Sequence, residues 1–211
     1  MDMLARRGVD ICCLQETRYR NQGCTVFGSN EDKYKFWYSG ANDGVGGVGI
    51  MMKHSLAETV IEVNRYNDRM MKLKIVIGNS LWHIFVVYAP QTGRTAQEKQ
   101  AFWEHLEEEI GRVPEGDGLL VGGDMNAHIG SDIAGYDDVI GLYGYGDRND
   151  EGETVLDMCK NQALRVLNTV FRKDREKQIT YKSGQAETQI DLLLLRRKAG
   201  VKVVDCSVIP G

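Results

Sequence analysis

Apolar residues arrive in short runs broken by glycine and polar clusters, a pattern of ordinary-length strands with few helices. Residues 9–14 (VDICCL) read as a buried strand that ends in the polar triplet Gln15-Glu16-Thr17. Residues 34–39 (YKFWYS) are aromatic and strand-like. Residues 44–52 (GVGGVGIMM) read as a glycine-rich turn entering an apolar strand, and strands follow at 59–63, 70–77 and 81–88. Gly78-Asn79 is a hairpin signal between the last two. This run of consecutive strands predicts an antiparallel meander.

A helix comes next. Thr95-Ala96-Gln97-Glu98 fits a capping box, and Phe102, Leu106, Ile110 and Val113 then share one helical face. A short strand at 119–121 closes on Gly122-Gly123-Asp124. Residues 130–150 read as a long Gly/Asp/Tyr loop, too long to be idle. A second helix is expected at 153–161, a strand at 164–167, and three final strands at 179–182, 189–195 and 201–208. Helices sitting between groups of strands favour a mixed α/β or α+β sandwich over an all-β barrel.

Composition narrows the class. Hydrophobic residues make up 42% and charged residues 27% of 211 positions, which excludes disorder as the main state. With 24 glycines and 3 prolines, the chain should have many tight turns and no proline-rich linker. The net charge of −4 and pI near 5.6 argue against nucleic acid held mainly on a broad basic surface. They leave room for an enzyme that touches phosphate through a metal and a few polar groups. The 5 cysteines form no C-x-x-C pair or zinc spacing, so reduced, mostly buried thiols in an intracellular compartment are expected. Charges throughout residues 1–10 predict no signal peptide, and no apolar run is long enough to span a membrane.

Polar residues at the ends of apolar strands are the candidate chemistry, because a strand end holds a side chain rigidly at the edge of a core. Gln15-Glu16 follows CCL, Tyr88 follows FVV, Asp124 and Asn126 follow LLVGG, and Asp191 lies inside QIDLLLL. Asp124 and Asn126 would face one ligand together if the backbone is extended, or would form an Asx turn. Asp191 either is buried with a hydrogen-bond partner or faces water at an edge. Glu16 is either a surface carboxylate or a hard ligand of the kind Mg²⁺ prefers. Of the four histidines, His105 is expected to be exposed on the first long helix and His83 to lie in a strand. The string Gly44-Val45-Gly46-Gly47-Val48-Gly49 precedes a strand instead of opening a helix, so it is no dinucleotide loop.

Taken in order, Gln15-Glu16-Thr17, Tyr88-Ala89-Pro90, Gly123-Asp124-Met125-Asn126, Thr180-Tyr181 and Ile190-Asp191 resemble the exonuclease–endonuclease–phosphatase superfamily, with its DNase I-like fold. The wording DICCLQET, YKFWYSG, GVGGVGI, VYAPQTGR, GGDMNAHIG and LNTVF is similar to one branch of it. That branch holds the endonuclease domains of non-LTR retrotransposons and the craniofacial development protein 2-like proteins.

The resemblance implies a four-layer α/β sandwich of two mixed, mostly antiparallel sheets, in one domain over residues 1–211. It implies Mg²⁺-dependent hydrolysis of DNA phosphodiester bonds, with Mn²⁺ as a substitute. Glu16 would bind the metal. Asp124 would orient or deprotonate the attacking water, and Asn126 would hold that water and the phosphate. Tyr88 would hydrogen-bond the phosphate. Asp191 would orient a catalytic histidine, with Thr180 as a positioning contact nearby. Tyr136, Tyr143 and Tyr145 in the long loop would reach the nucleic acid.

Against the same pattern, the chain would lack the family's first strand and its last, histidine-bearing strand, since no histidine follows His128. Impaired activity is the expectation. DNA is the expected partner, with a reverse transcriptase fused or neighbouring in the parent element, and the location is nuclear or cytoplasmic. The alternatives are a phosphatase or phosphodiesterase acting on small esters, and a catalytically dead nucleic-acid-binding remnant.

Overall fold

Short strands, most of their residues wholly or partly buried, build the first half of the chain. In the computed structural model, which describes residues 2–29, 33–197 and 201–209, strands β1 (Ile11–Gln15), β2 (Gln22–Phe27), β3 (Tyr34–Ser39) and β4 (Val48–Lys53) form one antiparallel sheet in the order β1-β4-β3-β2. Strands β5 (Val60–Arg65), β6 (Met70–Ile77) and β7 (Ser80–Tyr88) run antiparallel as a meander, with β8 (Gly118–Asp124) beside β7. The expected meander therefore covers only the last three strands of its run. β3 and β4 belong to the other sheet, where β4, buried from Val48 to Met52, lies between β1 and β3.

These strands, with a short helix α1 (Asp2–Arg6) and a single turn α2 (His54–Ala57), make one compact unit, Met1–Tyr88 with Asp117–Gly123. Its core interleaves the two sheets. Trp37, Val48, Ile50 and Met52 pack with Met71, Leu73, Ile75, Ile84, Val86 and Tyr88. On the other face of the first sheet, Tyr34, Phe36 and Met51 pack with Leu4, Ala5, Cys12 and Leu14.

The second unit is Ala89–Gly116 with Asp124–Gly211. Helix α3 (Ala96–Gly111) opens on the expected capping box: Thr95 Oγ1 accepts from Glu98 N at 3.2 Å and Thr95 N donates to Glu98 Oε2 at 2.9 Å. Its C-terminus is closed by Arg196, whose guanidinium donates to the carbonyls of Ile110, Val113 and Pro114. Helix α4 (Asp150–Asn161) starts at Asn149, whose Oδ1 accepts from Gly152 N at 2.9 Å. Paired strands β9 (Ile129–Gly130) and β10 (Tyr145–Arg148) tie down the ends of the long loop. Strand β11 (Leu164–Val166) pairs with the last strand, β14 (Asp191–Arg196), and β12 (Tyr181–Ser183) with β13 (Ala186–Thr188).

Residues 201–208 are not a strand. They form an irregular segment fastened by Val208 N to Lys177 O at 2.8 Å and by the Lys173–Asp205 ion pair at 2.5 Å. Alternation of valines with polar residues mimicked a strand, but no neighbouring strand pairs with it among the described residues. The thiols are all unbridged, yet only Cys159 is fully buried and Cys24 is exposed, so the expectation of mostly buried cysteines fails.

Candidate active site

The end of β1 leads into a strained turn. Glu16, Arg18 and Asn21 have φ values of 50°, 56° and 62°, the left-handed region that costs a non-glycine residue of order 1–3 kcal/mol. The turn is held on the glycine-rich loop, with Thr17 N donating to Gly47 O at 3.2 Å and Arg18 N to Gly46 O at 2.8 Å. A Cβ at Gly47 would lie 2.7 Å from Thr17 Oγ1, so this approach needs glycine.

This turn leaves Glu16 exposed, with Oε1 accepting a hydrogen bond from the hydroxyl of Tyr88 at 2.9 Å. Tyr88 ends β7 and is itself buried. Arg69 holds it from a third direction: the guanidinium lies over the Tyr88 ring at 5.0 Å, Nη1 donates to Tyr88 O at 3.2 Å, and Tyr88 N donates to Arg69 O at 2.9 Å. Gln15 Nε2 and Thr17 Oγ1, on either side of Glu16, are buried without a hydrogen-bond partner among the described residues.

In the second unit, Asp124 closes β8 and Asn126 follows it at φ 45°. Of the two arrangements the sequence leaves open for this pair, the extended one is absent. Instead an Asx turn forms, with Asn126 N donating to Asp124 Oδ1 at 2.8 Å, and Asn126 Nδ2 donates to Ala89 O at 2.8 Å. The physical reason is that the left-handed residue lets the aspartate capture its own backbone. Ala89 N also donates to Asp124 O at 2.8 Å, so the two segments lock each other.

Asp191 begins β14 and is partly buried. Burial is the main reason its carboxyl sits above the ordinary aspartate value, opposed by a hydrogen bond with Thr180 and one with its own backbone. Thr180 Oγ1 also accepts from Ile190 N at 3.0 Å and Asp191 N at 3.1 Å. Asn168 Nδ2 donates to Asp191 O at 3.0 Å. The polar partners of Asp191 among the described residues are Thr180 and Asn168, and no histidine is among them.

The loop tyrosines divide. Tyr136 does not reach outward: it is 9% exposed, its hydroxyl donates to Asp157 Oδ1 at 2.6 Å, and that bond with the nearby carboxylates pushes its phenol up to about 12. Arg148 lies over its ring at 4.8 Å. Tyr143 is 36% exposed, while Tyr145 pairs with Gly130 and carries Arg175 over its ring at 6.0 Å. His105 is half-buried on α3 and not exposed, and His83 is buried in β7 with Nε2 3.0 Å from Asp117 Oδ2. Arg69 and Asn168 were not singled out from the sequence, because each acts through contacts with residues 19 and 23 positions away.

No group of three or more His, Cys, Asp or Glu side chains among the described residues could hold a metal ion alone. Mg²⁺ keeps several waters and takes one or two carboxylates plus substrate phosphate. The exposed Glu16 carboxylate, with one oxygen fixed by Tyr88, fits one such ligand. No helix of the described residues is long and apolar enough to cross a membrane.

Comparison with known proteins follows the same lines. The chain is 27% identical over 210 residues to craniofacial development protein 2 of Tragulus javanicus, covering 98% of this chain and 35% of that protein. It therefore spans about a third of the length of the curated relative it matches. It superposes on the endonuclease domain of TRAS1, a telomere-specific non-LTR retrotransposon, with a TM-score of 0.58 and 14% identity, covering 92% of this chain and 76% of that one. It superposes on D. rerio TDP2 complexed with single strand DNA product with a TM-score of 0.58 and 14% identity, covering 97% and 77%. These structural likenesses show a DNase I-like α/β fold. A family model described as the endonuclease/exonuclease/phosphatase family matches residues 1–210, and the chain belongs to that family.

Proposed function

We propose that this chain hydrolyses phosphodiester bonds of DNA as a retrotransposon-type endonuclease with Mg²⁺ as its cofactor. The observation that carries the reading is the hydrogen bond from the Tyr88 hydroxyl to Glu16 Oε1 at 2.9 Å. It fixes a phenol and a hard carboxylate side by side at strand ends, as a phosphate and a divalent cation require. The nucleic-acid chemistry named for TRAS1 and for the TDP2 complex supports the substrate.

Mg²⁺, when bound, supplies Lewis-acid stabilisation of the charge on the phosphate, and Glu16 would hold it. Tyr88 turns its hydroxyl proton to a phosphate oxygen. Asp124, with Oδ1 aimed by Asn126 N, orients the attacking water and takes its proton. Asn126 has its amide nitrogen committed to Ala89 O, which leaves Oδ1 to accept from the water. Asp191 would orient a histidine that serves proton transfer at the leaving group, with Thr180 holding the Asp191 backbone. Among the described residues no histidine partners Asp191, and without one that step lacks an assistance worth typically 10²- to 10⁴-fold.

The test is nicking of supercoiled plasmid in Mg²⁺, with EDTA and Asp124→Ala as controls. Slow nicking abolished by both controls is the expected result. Release of phosphate from small esters without DNA cleavage would move the substrate away from DNA. A second reading, a DNA-binding module without chemistry, draws on the lack of a histidine partner for Asp191 among the described residues. Tight binding to duplex in Mg²⁺ with no cutting at any enzyme concentration would establish it in place of the first.

A further inference from the structure

Strand β11 stops pairing with β14 at Val166↔Leu194, yet β14 continues back to Asp191. Past Val166 the chain turns through a short 3-10 helix, Leu167–Thr169. That turn is pinned by the buried Thr169, whose hydroxyl donates to Val166 O at 2.8 Å and accepts from Gly141 N at 2.7 Å.

The side chain of Asn168 takes over where the backbone leaves. Its Oδ1 accepts from Leu193 N at 2.8 Å and its Nδ2 donates to Asp191 O at 3.0 Å. A carboxamide carries a donor and an acceptor much as a peptide group does, so Asn168 continues the ladder by one step. Thr180 Oγ1 accepts the N–H of Asp191 at 3.1 Å. Both backbone groups of Asp191 thus end on side chains of other elements.

We propose that Asn168 is a positioning residue for Asp191, setting the depth and direction of its carboxyl together with Thr180. The catalytic meaning of that placement rests on the nuclease reading, whereas the placement itself does not. A misplacement of about 1 Å at a reacting group can cost about 10²-fold in rate.

Amide hydrogen exchange and ¹³C NMR titration of the aspartate carboxyls test this, with Asp191→Asn assigning the Asp191 signal. In Asn168→Ala, exchange at Leu193 should quicken by at least about tenfold. The Asp191 midpoint should fall toward that of an exposed aspartate. Plasmid nicking should lose about tenfold to a hundredfold in kcat with KM changed by less than about twofold. A folded variant with unchanged Leu193 exchange and an unmoved Asp191 titration overturns the proposal. If the alanine variant does not fold, Asn168→Ser, too short to reach both groups, takes its place. An unprotected Leu193 amide in the unmodified chain overturns the proposal without any variant. Should the unmodified chain never cut DNA, the exchange and titration still decide this inference, and only the nuclease reading falls.

Discussion

The hydroxyl of Tyr88 and the carboxylate of Glu16, 72 positions apart in the chain, are joined by a hydrogen bond of 2.9 Å. A strained left-handed turn supplies one partner and the inner end of a buried strand the other. If the pair serves phosphate, Tyr88→Phe should lower the nicking rate by about 10²- to 10³-fold, the usual loss for one transition-state donor. Stability should fall by only about 0.5–1.5 kcal/mol, as for one ordinary hydrogen bond. Parallel rate and urea-unfolding measurements separate the two effects. Undiminished nicking by the phenylalanine variant would remove Tyr88 from the chemistry.

Asp191 is held at a cost. Its carboxyl lies above the ordinary value of 3.8 mainly because of burial, so the folded chain binds its proton more tightly than the unfolded chain does. Stability linked to this group is full below about pH 3.8 and is lost as pH rises through the folded midpoint. At neutral pH Asp191→Asn should therefore raise stability, by roughly 0.5–2 kcal/mol, while abolishing nicking. A denaturation midpoint that drops in the asparagine variant would contradict the assignment of burial as the cause.

His83 predicts the opposite slope on the acid side. Burial, with Lys72 and Lys74 nearby, lowers its imidazole below the ordinary 6.5, only partly offset by the hydrogen bond and charge of Asp117. The unfolded chain takes up the proton first, so stability present above about pH 6.5 should be lost progressively as pH falls toward the folded midpoint. Urea midpoints at pH 7.5 and 5.5 should differ in the unmodified chain and differ less in His83→Gln. The same pH response in both would place the effect elsewhere.

Gly123 should not tolerate a side chain. It sits at φ 155°, and a Cβ would stand 2.0 Å from Val87 O. Gly123→Ala should cost more than about 3 kcal/mol, because backbone cannot give way as a flexible side chain does. A thermal midpoint within a few degrees of the unmodified chain would show that the strand shifts to admit the methyl group.

Much of the local structure was legible in the sequence. The aromatic run at 34–39 and the alternating run at 70–77 match β3 and β6 end to end, because a period of two is built into strand stereochemistry. The capping box of α3 lies where Thr95 and Glu98 placed it. The misses share a cause. The segment at 201–208 has strand patterning but no pairing partner among the described residues, while β2, with glutamine, glycine and cysteine, earns its place through six paired residues of β3. The sorting of strands between sheets is equally non-local, which is why a single meander was expected where the run from β3 to β7 divides between two sheets.

The candidate residues divide in the same way. Their types and their places at strand ends were set by the order of residues: Glu16 after an apolar run, Asp124 after two glycines, Asp191 ahead of four leucines. Tertiary structure alone decided how each is held. It put Glu16 and Asn126 in the left-handed region, gave the Asn126 amide to Ala89, laid Arg69 over Tyr88 and brought Asn168 to Asp191. Hydrophobic patterning is a local code, repeated every two or 3.6 residues. A hydrogen bond between a side chain and a backbone tens of positions away leaves no such period, and only the packed chain brings its two ends within 3 Å.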